Sequence, residues 1–165
     1  MRTLKILGFF LTYPEQAHIQ AVDECAAILQ SEKWLSDKGL EKVLHAIHRF
    51  KEKCLLDLQE DYVALFDRTP SLSLHLFEHI HGDSRDRGQA LVDLLKVYED
   101  AELFINREEM PDYLPLFTEY VATLPHQQAS ETMGSVVNIL SSLASRLRNR
   151  ESFYADFLDG MIETA

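Results

Sequence analysis

The chain has 165 residues and a mass of 19.0 kDa, with 46% apolar residues, six glycines and five prolines. That is the make-up of one compact domain able to bury most of a core. Its formal charge of −11, from 16 basic and 27 acidic side chains, repels phosphate backbones and anionic lipid headgroups and argues against nucleic-acid and membrane-surface binding.

The first eleven residues, Met1 to Leu11, imitate a secretion signal, but their apolar stretch is short and no small-x-small cleavage site follows. They are read as the first core helix of a cytoplasmic protein, and no run approaches the roughly 18 apolar residues that cross a bilayer. Pro14 is placed in the first turn of a helix running to about Gln30, whose stripe is Ile19, Val22, Ala26 and Leu29. Leu40, Val43, Leu44 and Ile47 predict a third helix. Asp57 and Glu60 have capping-box spacing ahead of Leu58, Tyr62, Leu65 and Phe66, and residues 67–71 read as a turn.

Gly82-Asp83-Ser84 breaks the pattern, with Ser84 or Asp86 as cap of a helix through Leu91, Leu94, Leu95 and Tyr98 to about Glu102. Pro111, Pro115 and Pro125 bracket the stripe Leu114, Phe117, Val121 and Leu124. A last long helix is predicted from about Ser130 to Asn149, with Arg146, Arg148 and Arg150 where cations complement its dipole. Sustained alternation is missing, so the expected fold is all-α: a single-domain helical bundle of about seven or eight helices spanning residues 1–165. Cys25 and Cys54 lack dithiol or zinc-finger spacing and are read as buried, reduced thiols.

The charge is uneven. Residues 1–57 carry eight basic and eight acidic side chains, whereas residues 58–165 carry eight and nineteen. Between Glu99 and Glu131 eight acids (Glu99, Asp100, Glu102, Glu108, Glu109, Asp112, Glu119, Glu131) face the single cation Arg107. Such a stretch is either a solvated face or a salt-sensitive field for a basic partner.

The densest polar cluster is residues 78–87, where Glu78, His79, His81, Asp83, Arg85, Asp86 and Arg87 crowd together. It is either a site or an ion-paired, capped corner between helices. His75-Leu76-Phe77-Glu78-His79 has the His-x-x-Glu-His spacing of some zinc hydrolases, but a third ligand is not evident. Nucleophile-elbow, dinucleotide and Walker-type motifs are absent. On the residues alone, a peptide-binding chaperone, a zinc hydrolase and a helical adaptor without a dedicated client all stay open.

The run Tyr62-Val-Ala-Leu-Phe-Asp-Arg68 and the block from Ser73 through Phe77-Glu-His-Ile-His-Gly-Asp-Ser-Arg-Asp-Arg-Gly-Gln89 to Ala90 are followed by Met110-Pro-Asp-Tyr-Leu-Pro-Leu-Phe117. With Leu11-Thr-Tyr-Pro14 and Arg146-Leu-Arg-Asn-Arg-Glu-Ser-Phe-Tyr154, these segments resemble the nitrate reductase molybdenum-cofactor assembly chaperones, the NarJ group of the TorD-like redox-enzyme maturation proteins. The likeness covers nearly the whole chain. It departs at His75, where the family usually has an apolar residue, and after the arginine-rich helix, where many relatives continue with a polar tail.

The resemblance implies a non-enzymatic, cytoplasmic, TorD-like helical chaperone that binds the N-terminal segment of the catalytic subunit of respiratory nitrate reductase. It implies support for molybdenum-cofactor and iron–sulfur insertion into that client, delayed membrane docking, no stably bound cofactor and no metal of its own. Molybdenum-cofactor delivery proteins are further implied partners, and related chaperones occur as monomers and as dimers.

The expected client-binding residues are Tyr62, Leu65, Phe66, Asp67 and Arg68, then Phe77, Glu78, His79, His81, Gly82, Asp83, Arg85, Asp86 and Arg87. Tyr62, Leu65, Phe66 and Phe77 are the groove candidates for an amphipathic helix. Glu78, Asp83 and Asp86 are seats for basic client residues, while Arg85 and Arg87 pair internally or take a carboxylate. His79 and His81, with ordinary values of about 6.5, are candidates for pH-dependent affinity.

Overall fold

The computed structural model describes residues 1–82, 84–106 and 109–165. Asp83, one of the expected client-binding residues, and Arg107 and Glu108 of the acidic stretch lie outside the described residues.

Among the described residues the architecture is all-α, with an isolated His75–Tyr113 bridge in place of any sheet. The helices are α1 (Arg2–Phe9), α2 (Gln16–Glu32), α3 (Asp37–Glu52), α4 (Leu55–Tyr62), α5 (Leu76–His81), α6 (Asp86–Asp100), α7 (Leu114–Val121), α8 (His126–Gly134), α9 (Val137–Arg148) and α10 (Tyr154–Ile162). A π-helical turn, Val63–Asp67, continues α4, and a short 3₁₀ turn, Pro70–Leu72, follows it. No described helix is long and apolar enough to cross a membrane.

The N-terminal helix is the axis of the core. Leu4, Leu7, Phe10 and Leu11 are fully buried, and α1 packs against α2, α7 and α10. Gly8 permits the approach to α7, because a β-carbon there would lie 2.2 Å from the Thr118 hydroxyl. On the opposite side α10 fills the space between α3 and α9 with Tyr154, Phe157, Leu158 and Met161. Phe10 stacks on Phe157 at 5.2 Å and meets Phe50 edge-on at 5.1 Å, so three segments remote in sequence share one aromatic cluster.

Several boundaries differ from the sequence reading. Pro14 lies outside α2, whose cap is Glu15; the Glu15 amide donates to Nδ1 of the buried His18 at 3.0 Å, satisfying a helix-end group with an imidazole. The capping box at Asp57 is replaced by Cys54, whose sulfur accepts from the Asp57 amide at 3.4 Å. That role leaves Cys54 exposed, unlike the buried Cys25. In residues 67–71, Asp67 ends the π-turn, Arg68 and Thr69 link it onward, and Pro70 and Ser71 belong to the 3₁₀ turn.

Neither Ser84 nor Asp86 is the N-cap of α6; that residue is Arg85, although Ser84 Oγ accepts from the Asp86 amide at 3.2 Å. The predicted helix 130–149 is broken at Ser135–Val136. There the hydroxyls of Thr132 and Ser135 bond back to Gln128 and Thr132 carbonyls, a substitution for backbone pairing that bends helices. These shorter pieces, with α5 and the unpredicted α10, make the helices more numerous than the expected seven or eight.

One helix stands apart. Only Tyr98 of α6 is buried, with its hydroxyl donating to the Pro111 carbonyl at 2.8 Å, and the helix packs chiefly on α5. Its apolar side chains are therefore left at the molecular surface.

Candidate functional site

The polar cluster folds as a corner between α5 and α6. Gly82 makes the turn at φ +53°, a backbone state that disfavours a side chain, although space around it is open. Across the turn Arg87 donates to Glu78 at 3.1 Å. His79 Nε2 lies 2.8 Å from the Ser73 carbonyl, and the His81 ring meets Phe77 edge-on at 5.6 Å. Gly82, Arg85 and Asp86 are exposed, and Phe77 is half-buried. Most of the cluster's polar groups are thus engaged within the corner itself.

A clamp joins this corner to the start of α7. The Leu76 amide donates to the Asp112 carbonyl at 2.9 Å and the Leu114 amide to the Leu74 carbonyl at 2.8 Å. Asp112 is fully buried; its Oδ2 accepts from the Phe77 amide at 3.0 Å, and its Oδ1 is 3.4 Å from His75 Nδ1. The second contact falls short of hydrogen-bond geometry and becomes an ion pair when His75 is protonated. Contact with Asp112 raises the His75 imidazole above its ordinary value despite burial. Burial alone would raise the Asp112 carboxyl, but His75 and the Phe77 amide outweigh it and hold the group low.

His75 therefore caps α5 in extended geometry and turns toward Asp112, while His79 sits within the helix and turns to Ser73. The His-x-x-Glu-His residues do not share a helix face as zinc ligands require. No set of three potential metal-binding side chains converges among the described residues.

The concave surface lies beside the corner, in three successive hollows. The first, about 470 Å³, runs from Tyr13 along α4 past Leu56, Gln59 and Glu60 to Val63, Ala64 and Arg68. The second, about 380 Å³, is walled by Tyr13, Tyr62 and Tyr113, with Asp67, His75, Glu109 and Met110 around them. The third, about 590 Å³, extends from Glu109, Met110 and Pro111 to Leu95 and Glu99 of α6 and to residues 103–105. Tyr13 is common to the first two, and Glu109 and Met110 to the last two, so the hollows form one run.

The π-turn sets the wall of this groove. Its wide bond, from the Arg68 amide to the Val63 carbonyl at 3.0 Å, shifts the helical register. Tyr62 and Phe66, four residues apart, both face the core with rings 4.9 Å apart, while Val63, Ala64 and Asp67 line the hollows. The Tyr62 hydroxyl donates to the Leu11 carbonyl at 3.1 Å and lies 2.9 Å from the Tyr113 hydroxyl. Burial and the neighbouring Tyr113 push the Tyr62 phenol far up, so it stays neutral.

Large apolar side chains are exposed along the groove: Leu56 (62%), Tyr13 (44%), Met110 (41%) and Phe104 (87%). The other exposed large apolar residues, Ile80, Val92 and Val97, belong to α5 and α6. Of the residues expected from sequence, Tyr62, Asp67 and Arg68 border the groove. Phe66 and Glu78 border a smaller hollow, of about 310 Å³, with Asp67 and His75, and Leu65 borders a separate one with Arg49, Lys53 and Arg150.

Sequence reasoning passed over Tyr13, Leu56, Phe104 and Met110 as site residues. Leu56 and Phe104 gave a usable signal, Leu56 as a large apolar residue off its helix stripe and Phe104 as one beyond the end of its helix.

The family described as nitrate reductase delta subunit matches residues 15–161. The chain is 41% identical, over its whole length and 70% of the other protein, to the nitrate reductase molybdenum cofactor assembly chaperone NarJ of Escherichia coli K12. It is 37% identical to the probable chaperone of the same description, NarW, from that strain, covering 68% of it. A probable NarJ of Bacillus subtilis is 28% identical over 94% of this chain and 84% of its own length. With the match running from the cap of α2 to the last turn of α10, the chain belongs to the nitrate reductase delta subunit family.

Proposed function

We propose that this protein is an assembly chaperone for nitrate reductase, without catalytic activity of its own, that acts in the cytoplasm before the enzyme docks at its membrane. Its client is the catalytic subunit, and the N-terminal segment of that subunit lies along the three-hollow groove. Holding that segment delays docking while the molybdenum cofactor and iron–sulfur centre enter the client.

The observation that carries this reading is the run of exposed apolar residues Leu56, Tyr13, Met110 and Phe104 in one concave path. Exposed apolar surface of this shape is characteristic of a partner site. Each client anchor that it buries contributes about 1.5 to 3 kcal/mol before ordering costs. Tyr62, Asp67 and Arg68 act in the groove wall. The corner from Phe77 through Glu78, His79, His81 and Gly82 to Arg85, Asp86 and Arg87 supports that wall by holding α6 against it.

The reading is tested in cells lacking the native chaperone. Restoring this chain should restore molybdenum content of the purified catalytic subunit, and a Leu56→Asp, Phe104→Asp variant that accumulates normally should not. Equal molybdenum content with the variant would contradict the groove assignment.

A further inference from the structure

The groove is divided in chemistry as well as in shape. Its first hollow offers Leu56, Val63 and Ala64, with one ion of each sign, Glu60 and Arg68. The third is mostly apolar, with Leu95, Leu103, Phe104, Ile105 and Pro111, but also carries Glu99 and shares Glu109 with the second. Between them the second presents three phenol rings and two carboxylates, from separate parts of the chain.

Asp67 ends the π-turn, whereas Glu109 precedes α7 by several residues. Both carboxylates are near enough to the Tyr113 phenol to add to the rise that burial imposes on it. Neither takes part in an ion pair among the described residues, and both are exposed and line the hollow. The nearby imidazole of His75 is balanced by Asp112 rather than by Asp67 or Glu109.

The rings are held by contacts with one another. Tyr13 meets Tyr62 edge-on at 5.7 Å and 90°, and the hydroxyls of Tyr62 and Tyr113 are spent on each other and on the Leu11 carbonyl. A side chain entering here meets π systems and anionic oxygens together. An aliphatic group gains little from the carboxylates, and an anion is repelled. A cation gains from both, through ring quadrupole and charge-assisted hydrogen bonding.

We propose that the second hollow is the receptor for one cationic side chain of the bound segment, a guanidinium in preference to an ammonium, with apolar anchors seated in the hollows on either side. This rests on the peptide-groove reading and adds to it a pattern: the segment that binds is apolar, basic, apolar. The planar guanidinium is favoured because it stacks on a ring while directing donors to two carboxylates at once.

Two titrations of the full chain test this. In the first, N-acetyl-arginine amide at millimolar concentration should shift the ring resonances of Tyr13 and Tyr113, and the Asp67→Asn, Glu109→Gln variant should lose the shift. In the second, a peptide copying the N-terminus of the nitrate reductase catalytic subunit should bind that variant about tenfold or more weakly than the native chain. Replacing one particular arginine of the peptide by citrulline should weaken native binding equally, with no further loss when both changes are combined.

Unchanged peptide affinity in the variant, or losses that add for every arginine replaced, would overturn the cation receptor while leaving the peptide groove standing. An arginine-amide shift without peptide binding would keep the receptor and remove the client reading. Absence of the shift in the native chain would overturn the receptor.

Discussion

The Tyr62 and Tyr113 hydroxyls lie 2.9 Å apart and tie the end of α4 to the start of α7 at the centre of the groove. Tyr62 also donates to the Leu11 carbonyl just beyond α1, so one phenol joins three segments. Tyr62→Phe should therefore lower stability by about 1 to 2 kcal/mol, since it breaks two contacts and leaves a carbonyl less well satisfied. Urea unfolding with an unchanged slope would register this as a lower midpoint.

The His75–Asp112 contact makes stability depend on pH with a definite sign. His75 is raised in the folded state, so its contribution is complete below its ordinary value of 6.5 and is lost as pH rises through the higher folded value. Asp112 is lowered, so its contribution is present above its ordinary 3.8 and is lost as pH falls through the lower folded value. The pair is thus most effective in mildly acidic solution. Thermal melts should show the native chain losing stability from pH 6 upward relative to His75→Gln, in which that part of the dependence is flattened.

Gly8 is a packing requirement of the α1–α7 contact. Gly8→Ala sets a methyl against the Thr118 hydroxyl and should cost about 1 to 3 kcal/mol, as overpacking does. Adding Thr118→Ala removes the oxygen that is struck and should recover much of the loss. A cycle in which the two changes simply add would contradict this geometry.

The corner and the groove should separate under mutation. Glu78→Ala and Arg87→Ala break an ion pair that is partly exposed, with side-chain accessibilities of 36% and 26%, so stability should fall by no more than about 1 kcal/mol. Affinity for the client peptide should change little in either variant. A tenfold loss in both, with folding intact, would place the corner in direct contact with the client.

Ionic strength reports on the acids of the groove. Asp67, Glu99 and Glu109 line it, so peptide affinity should decline as salt screens them, and the decline should be shallower in Asp67→Asn, Glu109→Gln. Surface plasmon resonance at increasing sodium chloride concentration gives both slopes.

The helical class was legible because apolar stripes such as Leu58, Tyr62, Leu65 and Phe66 are governed by burial, which acts along the whole element. Helix ends were less legible. They depend on single local bonds, such as Cys54 sulfur replacing the Asp57 carboxylate or Thr132 and Ser135 hydroxyls bending the α8–α9 junction. Tyr154, Phe157, Leu158 and Met161 carry a readable stripe for α10, of which the sequence reading used only Tyr154, at the end of a family segment.

The groove was only partly legible. Tyr62, Asp67 and Arg68 stand in the recognisable run and do border it, whereas the motif-dense block attracted attention because polar residues are visible as chemistry. Much of that polarity is consumed by turning the chain from α5 to α6. Tyr13, Leu56, Phe104 and Met110 come from four separate segments, and only the packing of α4, the π-turn and the α7 approach brings them into one path.

Calorimetric titration of the full chain with the N-terminal peptide of the nitrate reductase catalytic subunit tests the groove most directly. Saturable binding is expected for the native chain, weakened about tenfold or more in Leu56→Asp and in Phe104→Asp, whose exposed positions spare the fold. Equal affinity in all three proteins, or equal binding of a scrambled peptide, would contradict the account.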